Sequence, residues 1–245
     1  MSKIINQTLQ LADSCLILGQ RNSDWCAHGP ILEQDIAITN ITLDLVGQAR
    51  HFYQYAAQLI SENENKIVTE DSLAYLRTER EFKNWLICEL PNGDWAKTVL
   101  RQFLFSNFQC LLFEEIEKST DTQLAAIATK SLKEIRYHIK WSSEWVIRLG
   151  DGTAESNSRI NKALQELWPF TGEFFVATDY EMFAVAVLRE KWLEMIKSIF
   201  HEATLSLPEN VFMQSGGKSG VHTEHLGYIL TELQYLQRAY PGAEW

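Results

Sequence analysis

One segment of this 245-residue chain constrains its fold more than any other. From Asp94 to about Ser119, apolar residues point in nearly every direction around a helix, so this helix must be covered on all sides. Asp94 is a good N-cap, because its carboxylate can accept hydrogen bonds from the free amides of the first turn. The next stretch, from Asp121 to Leu149, repeats apolar residues every three or four positions and so forms one apolar face. The two segments predict a helical bundle with residues 94–119 at its centre.

The same periodicity predicts further helices. They cover residues 4–20, from Pro30 to about Ile60, a short stretch near 70–78, two or three segments within 157–205, and a last helix at 222–239. No stretch alternates apolar and polar residues convincingly over six positions, and the strand-like composition of 183–187 lies between helical flanks. The polar run 61–66 and the glycine-rich run 216–220 are predicted loops. We therefore expect an all-α protein, a helical bundle with extra helices that forms one domain over residues 1–245.

Charge and composition narrow the function classes. A net charge of −10 disfavours non-specific binding to nucleic acid, which needs a basic surface, although a local basic patch could still meet an anion such as coenzyme A. The longest apolar run, Met182–Leu188, is far shorter than the roughly 20 residues of a membrane span. The N-terminus has no long apolar signal core. The cysteines form no metal-binding spacing and are predicted to be buried free thiols: Cys15, Cys26, Cys88 and Cys110. We expect a cytoplasmic protein that binds neither nucleic acid nor a membrane.

Bundles of this kind usually hold two iron atoms through a Glu-x-x-His pair on each of two helices. None of the six histidines here has a carboxylate three positions before it. We therefore expect no functional di-iron site and infer that the bundle supports chemistry done elsewhere.

A few ionisable residues nevertheless share helix faces. Glu134 and His138 are four residues apart, and Asp44 lies seven residues before His51 among apolar neighbours. A partly buried carboxylate such as Asp44 needs a charged or hydrogen-bonding partner. Two interpretations remain open: a structural polar cluster inside the bundle that contains Asp44 and Glu134, or an altered metal site formed by Asp44, Glu134 and His138.

The glycine-rich loop before the last helix is the second candidate. Gly217-Lys218-Ser219 resembles the end of a phosphate-binding P-loop, but the glycine required five residues before Gly217 is Phe212. His222 and Glu224 diverge on a helix, which favours packing and capping over metal binding. Glycines and a lysine before a helix can hold an anion or a partner's carboxylate, so Lys218 and His222 are candidate partner contacts. The alternative is a plain flexible turn.

Three segments resemble a known family. They are residues 40–50, 134–138 and 216–227, followed by 236–238 and the terminal 241–245. Together they are similar to the PaaA/PaaC family, the paired ferritin-like subunits of the bacterial phenylacetyl-CoA epoxidase (ring 1,2-phenylacetyl-CoA monooxygenase), and to its PaaC branch. The similarity runs essentially from end to end.

The resemblance implies a division of labour. In the family, the catalytic subunit, PaaA, carries the di-iron centre that epoxidises the aromatic ring of phenylacetyl-CoA, and a reductase with flavin and iron–sulfur groups supplies electrons from NADPH. The PaaC branch consists of relatives that lost the metal and became structural partners. The resemblance thus implies a chain without a catalytic residue or cofactor of its own, which acts in aerobic phenylacetate catabolism.

The resemblance also implies partners. The chain would form a heteromer with PaaA, bind the reductase and small subunits of the complex, and form a homodimer in isolation. The alternatives are an active ferritin-like metalloprotein with an altered site and a regulatory module that binds acyl-CoA.

Individual residues follow from the same resemblance. In place of two Glu-x-x-His pairs the chain has Asp44-x-x-Gly47 and Glu134-x-x-Tyr137. Gly47 has no side chain to bind iron, and Tyr137 does not fit this site. The inward positions expected on the central helix are uncharged: Ser106, Asn107 and Gln109. The vestigial metal positions are therefore Asp44, Gly47, Glu134, Tyr137 and His138.

The PaaC branch of the family also contributes a surface near the CoA moiety, and residues 77–84 match it here. The cations of this segment suit phosphate groups. The candidate substrate-binding residues are Glu81, Phe82, Lys83 and Asn84, so that a CoA thioester would bind at most through a shared surface. The alternative is a solvated helix end.

Overall fold

The computed structural model describes residues 2–243, and that part of the chain contains helices and no strand, as predicted. Its α-helices are α1 Lys3–Ser23, α2 Leu32–Glu64, α3 Glu70–Tyr75, α4 Leu86–Glu89, α5 Trp95–Ile116, α6 Thr122–Gly150, α7 Ala154–Leu167, α8 Leu188–Glu202 and α9 Glu224–Ala239. Short 3₁₀ turns lie at Glu79–Glu81, Trp168–Phe170, Gly172–Phe175, Val185–Val187 and Gly217–Ser219. The all-α architecture is consistent with a ferritin-like bundle.

The chain divides into two compact units. The first contains the described residues up to Pro91, the segment Thr178–Met182, and the described residues from Gly216 onward. The second contains Asn92–Ala177 and Phe183–Ser215. That the whole chain acts as one domain stays a prediction.

In the first unit, α1 and α2 pack along each other, and α3, α4 and α9 pack against this pair. Helix α1 is buried along most of its length, including polar residues such as Gln7 and Asp13. Helix α2 extends to Glu64, beyond the predicted end at Ile60, so the first residues of the expected 61–66 loop are helical. The helix ends at Asn65, whose left-handed backbone (φ 48°) is a common helix terminator.

In the second unit, α5 is the central helix, and α6, α7 and α8 pack against it. The predicted N-caps are confirmed: the carboxylate of Asp94 accepts a hydrogen bond from the Lys97 amide at 3.0 Å, and that of Asp121 accepts one from Leu124 at 2.8 Å. The ring of Phe108 stacks on that of Phe174 with centroids 4.4 Å apart. Nearly all the apolar residues of α5 are buried, as its sequence predicted.

Within the described residues, no helix is long and apolar enough to cross a membrane. Three of the four cysteines are buried as predicted: Cys15, Cys88 and Cys110. The prediction is wrong for Cys26, which is exposed because it lies in the turn that follows α1, with its Sγ 3.3 Å from the Thr39 hydroxyl.

Candidate functional site

The vestigial metal positions on α2 do not resemble a ligand set. A Cβ atom built on Gly47 would meet nothing within 4 Å. Asp44, one turn earlier, is half-buried and not enclosed. The two vestigial positions on α2 therefore offer one partly solvated carboxylate, where a metal site would need a carboxylate and an imidazole.

The equivalent positions on α6 also lack a complete set of metal ligands. Glu134 is half-buried, Tyr137 is 45% exposed, and His138 is fully buried. Asp44 and Glu134 are thus half-buried and not enclosed, and their membership in one structural polar cluster stays a prediction.

The central helix α5 carries buried but neutral polar groups. The Gln102 amide donates to the Ser106 hydroxyl at 2.8 Å, and the Asn107 amide donates to the Phe103 carbonyl at 2.8 Å. Gln109 is also buried. Among the residues that the structure describes, neither unit brings together three His, Cys, Asp or Glu side chains that could hold a metal ion. The side chains at these positions do not fit a di-iron centre.

The charged groups of the first unit converge instead on a network around Asp13, which is fully buried on α1. Its carboxylate accepts hydrogen bonds from the Tyr53 hydroxyl at 2.6 Å, the Lys83 amide at 2.8 Å and the two terminal nitrogens of Arg77. Burial works against the charge of Arg77, but the carboxylate of Asp13 outweighs it and raises the Arg77 pKa above its ordinary value. Burial, followed by the charge of Asp13, raises the pKa of Tyr53 well above 10. The pair is therefore ionic and ties α1, α2 and the segment after α3 together.

A second buried carboxylate, Glu89 on α4, anchors the start of α9. It accepts from the Thr223 amide at 2.6 Å, from the Asn84 amide at 2.8 Å and from His222 Nδ1 at 2.8 Å. His222 Nε2 lies 2.9 Å from the Phe82 carbonyl, so both ring nitrogens face acceptors, as only the doubly protonated ring satisfies. Burial disfavours that charge, but the hydrogen bond and charge of Glu89 outweigh it and raise the His222 pKa above 6.5.

The lysine of the glycine-rich loop is enclosed as well. Lys218 is 2% exposed, and its ammonium lies 2.6 Å from the Glu181 carboxylate. The Tyr180 hydroxyl donates to the Lys218 carbonyl at 2.7 Å. These contacts hold the loop against residues 178–182. We call the set formed by Asp13–Arg77, Glu89–His222 and Glu181–Lys218 the buried ionic network.

Two glycines explain why the loop is glycine-rich. A Cβ on Gly217 would lie 2.2 Å from the Asn84 carbonyl oxygen. Gly220 has a φ of 77°, and a Cβ there would lie 2.3 Å from the Arg80 carbonyl oxygen. The loop 216–220 therefore lies directly on the segment 80–86, so the two candidate sites, which are far apart in the chain, adjoin each other.

This packing revises the roles expected for both segments. Phe82 and Asn84 are buried, which prevents them from contacting a substrate in this conformation. Glu81 is exposed and caps Thr78, while Lys83 is half-buried with its ammonium 5.2 Å from the Tyr180 ring. Burial lowers the pKa of Lys83. Of the four, only Glu81 and Lys83 have side chains that reach solvent.

The charged groups of Lys218 and His222 do not reach solvent in this structure, and their assignment as partner contacts stays a prediction. Both side chains point inward because carboxylates of their own unit, Glu181 and Glu89, already neutralise them. The loop instead presents the neighbouring Val221, which is 66% exposed.

Sequence reasoning missed the carboxylates of this network. Asp13 could have been noticed in the sequence, because it is the one charged residue in the largely apolar stretch 11–18. No sequence pattern marks Glu89 or Glu181 in this way, because their partners His222 and Lys218 lie 133 and 37 residues away in the chain. The matched donors and acceptors of the network give it a structural role, which is to lock the C-terminal segment onto α1 and α4.

A family described as "Phenylacetic acid catabolic protein" matches residues 1–245. The chain is 44% identical over 253 aligned residues to the C subunit of the 1,2-phenylacetyl-CoA epoxidase of Escherichia coli (strain K12), with the whole of both chains covered. Over its full length, therefore, this chain belongs to the phenylacetic acid catabolic protein family.

Proposed function

We propose that this chain is the non-catalytic structural subunit of a multicomponent phenylacetyl-CoA epoxidase that acts in aerobic phenylacetate catabolism. The observation that carries the proposal is the 44% identity to the C subunit of such an epoxidase over the whole of both chains. Identity at this level across the full length supports the same role in the same kind of complex.

The side chains at the vestigial positions favour a supporting role over a catalytic one. Gly47 has no side-chain ligand atom, and Tyr137 is 45% exposed. An oxygen-activating pair of metals needs several converging carboxylates and imidazoles. The chain's contribution to catalysis is then to hold a metal-bearing partner in its active shape.

The partner in this proposal is PaaA, a homologous catalytic subunit that holds the di-iron centre. A reductase subunit with flavin and iron–sulfur groups delivers the electrons, and small subunits complete the assembly in the cytoplasm. In this proposal the CoA thioester binds PaaA, and its phosphates lie near the two cations of the 77–84 segment that reach solvent, the half-buried Lys83 and the exposed Arg80.

Co-purification tests the proposal directly. The chain is produced with an affinity tag, alone and together with untagged PaaA from the same organism, and each preparation is washed with chelator. We expect PaaA to be retained in a fixed ratio, and iron to be present only when PaaA is present. Epoxidation of phenylacetyl-CoA by the reconstituted complex should depend on both chains.

Two results would contradict the proposal. One is the absence of binding between the chain and coexpressed PaaA at micromolar concentration. The other is near-stoichiometric iron in the isolated chain that is lost on Glu134→Ala, which would favour an altered metal site on α6. A Glu144→Ala variant on the same helix, at an exposed carboxylate, is the matched control.

A further inference from the structure

A groove lies between α2 and α3 in the first unit. It has a volume of about 370 Å³, and α1 also contributes to its lining. Leu16 of α1, Ala49 of α2 and Ala74 of α3 line it and are all buried, so its floor is apolar. The two alanines keep the groove open, because longer side chains at these positions would occupy its space.

Two tyrosines line the same groove. Tyr53 is buried, and its hydroxyl donates to the Asp13 carboxylate at 2.6 Å, so the part of Tyr53 that a ligand can use is its ring. Tyr75 is half-buried, and its hydroxyl forms no hydrogen bond with any described residue. Aromatic rings pack well against other rings and attract cations to their faces. The walls therefore suit a ligand that combines a flat apolar body with a positive charge.

The charged groups that line the groove do not balance. Arg50 pairs with Glu70, with 2.9 Å between Nε and Oε1, so these two charges neutralise each other. Asp71 is exposed and forms no hydrogen bond or ion pair within the part of the chain that the structure describes. Burial and, after it, the charges of Asp71 and Glu70 raise the pKa of Tyr75, which places both carboxylates near its hydroxyl. One negative charge is thus left over beside an apolar floor.

Volume and charge limit what can bind here. Pockets for small molecules are typically about 300–1,000 Å³, so 370 Å³ suits one aromatic ring with a short chain and is too small for a whole CoA thioester. An aryl carboxylate would bring a second negative charge close to Asp71, and it would have to displace Glu70 to pair with Arg50. A cation avoids both costs, because Asp71 attracts it directly.

We propose that this groove binds a small organic cation of the arylalkylammonium class. The ring of the ligand lies on the floor between Ala49 and Ala74, against the ring of Tyr53. Its ammonium group donates hydrogen bonds to the Asp71 carboxylate and the Tyr75 hydroxyl. The bound cation bridges α2 and α3. The site is independent of the proposed function, because it requires neither PaaA nor a metal centre.

Three probes of similar shape test the charge preference. They are 2-phenylethylamine, 2-phenylethanol and phenylacetate, which present a cation, a neutral hydroxyl and an anion beside the same ring. In NMR titrations of the full chain, the amine should bind with a Kd on the order of 0.1–1 mM, as a ligand of about nine non-hydrogen atoms allows. The alcohol should bind about tenfold more weakly, and phenylacetate more weakly still.

Two variants test the location. Asp71→Asn keeps the size of an exposed side chain, and it should weaken binding of the amine about tenfold while leaving that of the alcohol unchanged. Ala74→Leu fills the floor and should abolish binding of both. Glu33→Gln, at an exposed carboxylate elsewhere on α2, is the matched control and should bind the amine as the wild type does. The melting temperature without ligand shows whether each variant is folded.

Hydrogen exchange gives an independent readout, since the amine should slow exchange at residues 70–75 in the wild type and in Glu33→Gln but not in Asp71→Asn. The inference is overturned if the amine fails to bind at about 10 mM. It is equally overturned if phenylacetate binds as tightly as the amine, or if a folded Asp71→Asn protein binds the amine as tightly as the wild type does. None of these results affects co-purification with PaaA, which tests the proposed function separately.

Discussion

At the scale of single residues, the stability of the first unit depends on charges that water does not reach. Asp13 and Glu89 are both fully buried, and each is satisfied by a cation and by a backbone amide. A buried ion pair contributes little over an apolar pair of similar shape, but removal of one partner leaves an uncompensated charge. These positions are therefore sensitive to substitution.

The pair His222–Glu89 makes stability depend on pH. The folded-state pKa of His222 is raised above the ordinary 6.5, so folding favours the protonated ring. This contribution is fully present below about pH 6.5 and is lost as the pH rises through the raised pKa. We expect the free energy of unfolding in urea to decrease as the pH rises above about 6.5 and through the raised pKa, and His222→Gln to remove that part of the slope.

The exposed His201 supplies the control, since His201→Gln should keep the wild-type pH dependence. Identical slopes for wild type and His222→Gln would show that the imidazole does not titrate with folding.

Asp13→Asn tests the other half of the network. The substitution leaves Arg77 buried without its counter-charge, and we expect a loss of about 3–5 kcal/mol in the free energy of unfolding. Lys118→Gln breaks the exposed Lys118–Glu115 pair and should leave stability unchanged within error. If both variants unfold at the same urea concentration as wild type, the Asp13–Arg77 pair does not stabilise the fold.

At the scale of elements, the glycine-rich loop is a packing device. Its glycines allow the backbone at 216–220 to approach the segment 80–86 more closely than any side chain would permit. The loop thereby sets the start of α9, where the Thr223 amide and the His222 ring donate hydrogen bonds to Glu89.

Two Gly→Ala variants separate this role from general helix effects. Gly217→Ala forces a clash with the Asn84 carbonyl, and we expect a loss of about 1–3 kcal/mol together with faster hydrogen exchange at 216–224. Gly47→Ala, in the middle of α2 with open space around it, should gain up to about 1 kcal/mol. A Gly217→Ala protein with wild-type exchange in the loop would contradict the close approach.

At the scale of the whole molecule, the consequence of a structural role is that activity follows assembly. Substitutions in the buried ionic network, such as His222→Gln, should lower epoxidation only as far as they lower the amount of complex. The measurement is turnover per assembled complex, with the iron content of PaaA determined in the same samples.

A variant with full assembly and normal iron but a hundredfold lower turnover would contradict this. Such a loss corresponds to about 2.7 kcal/mol of transition-state stabilisation and would mean that this chain supplies a catalytic group.

How far the sequence predicts the molecule differs between its parts. The central helix α5, its cap Asp94, the cap Asp121 of α6, and the all-α class follow from local periodicity and capping, which depend on residues within a few positions of each other. The lack of a Glu-x-x-His pair on α2 and α6 is also visible in the sequence, because two ligands one helical turn apart form a local pattern. The end of α2 was predicted too early, since polar residues 61–64 continue a helix as well as they begin a loop.

The sequence by itself determined the helices, the absence of Glu-x-x-His pairs and the likeness to an epoxidase component. Only the tertiary structure decided which charges lie at the surface and which lie in the interior. The sequence predicts that Lys218 and His222 are exposed cations in a loop. In the structure both side chains are buried, and each pairs with a carboxylate, Glu181 or Glu89. The physical reason is that a charged side chain can be buried only where an opposite charge lies next to it in the fold. Here that opposite charge comes from a distant part of the sequence, so no local sequence pattern predicts it.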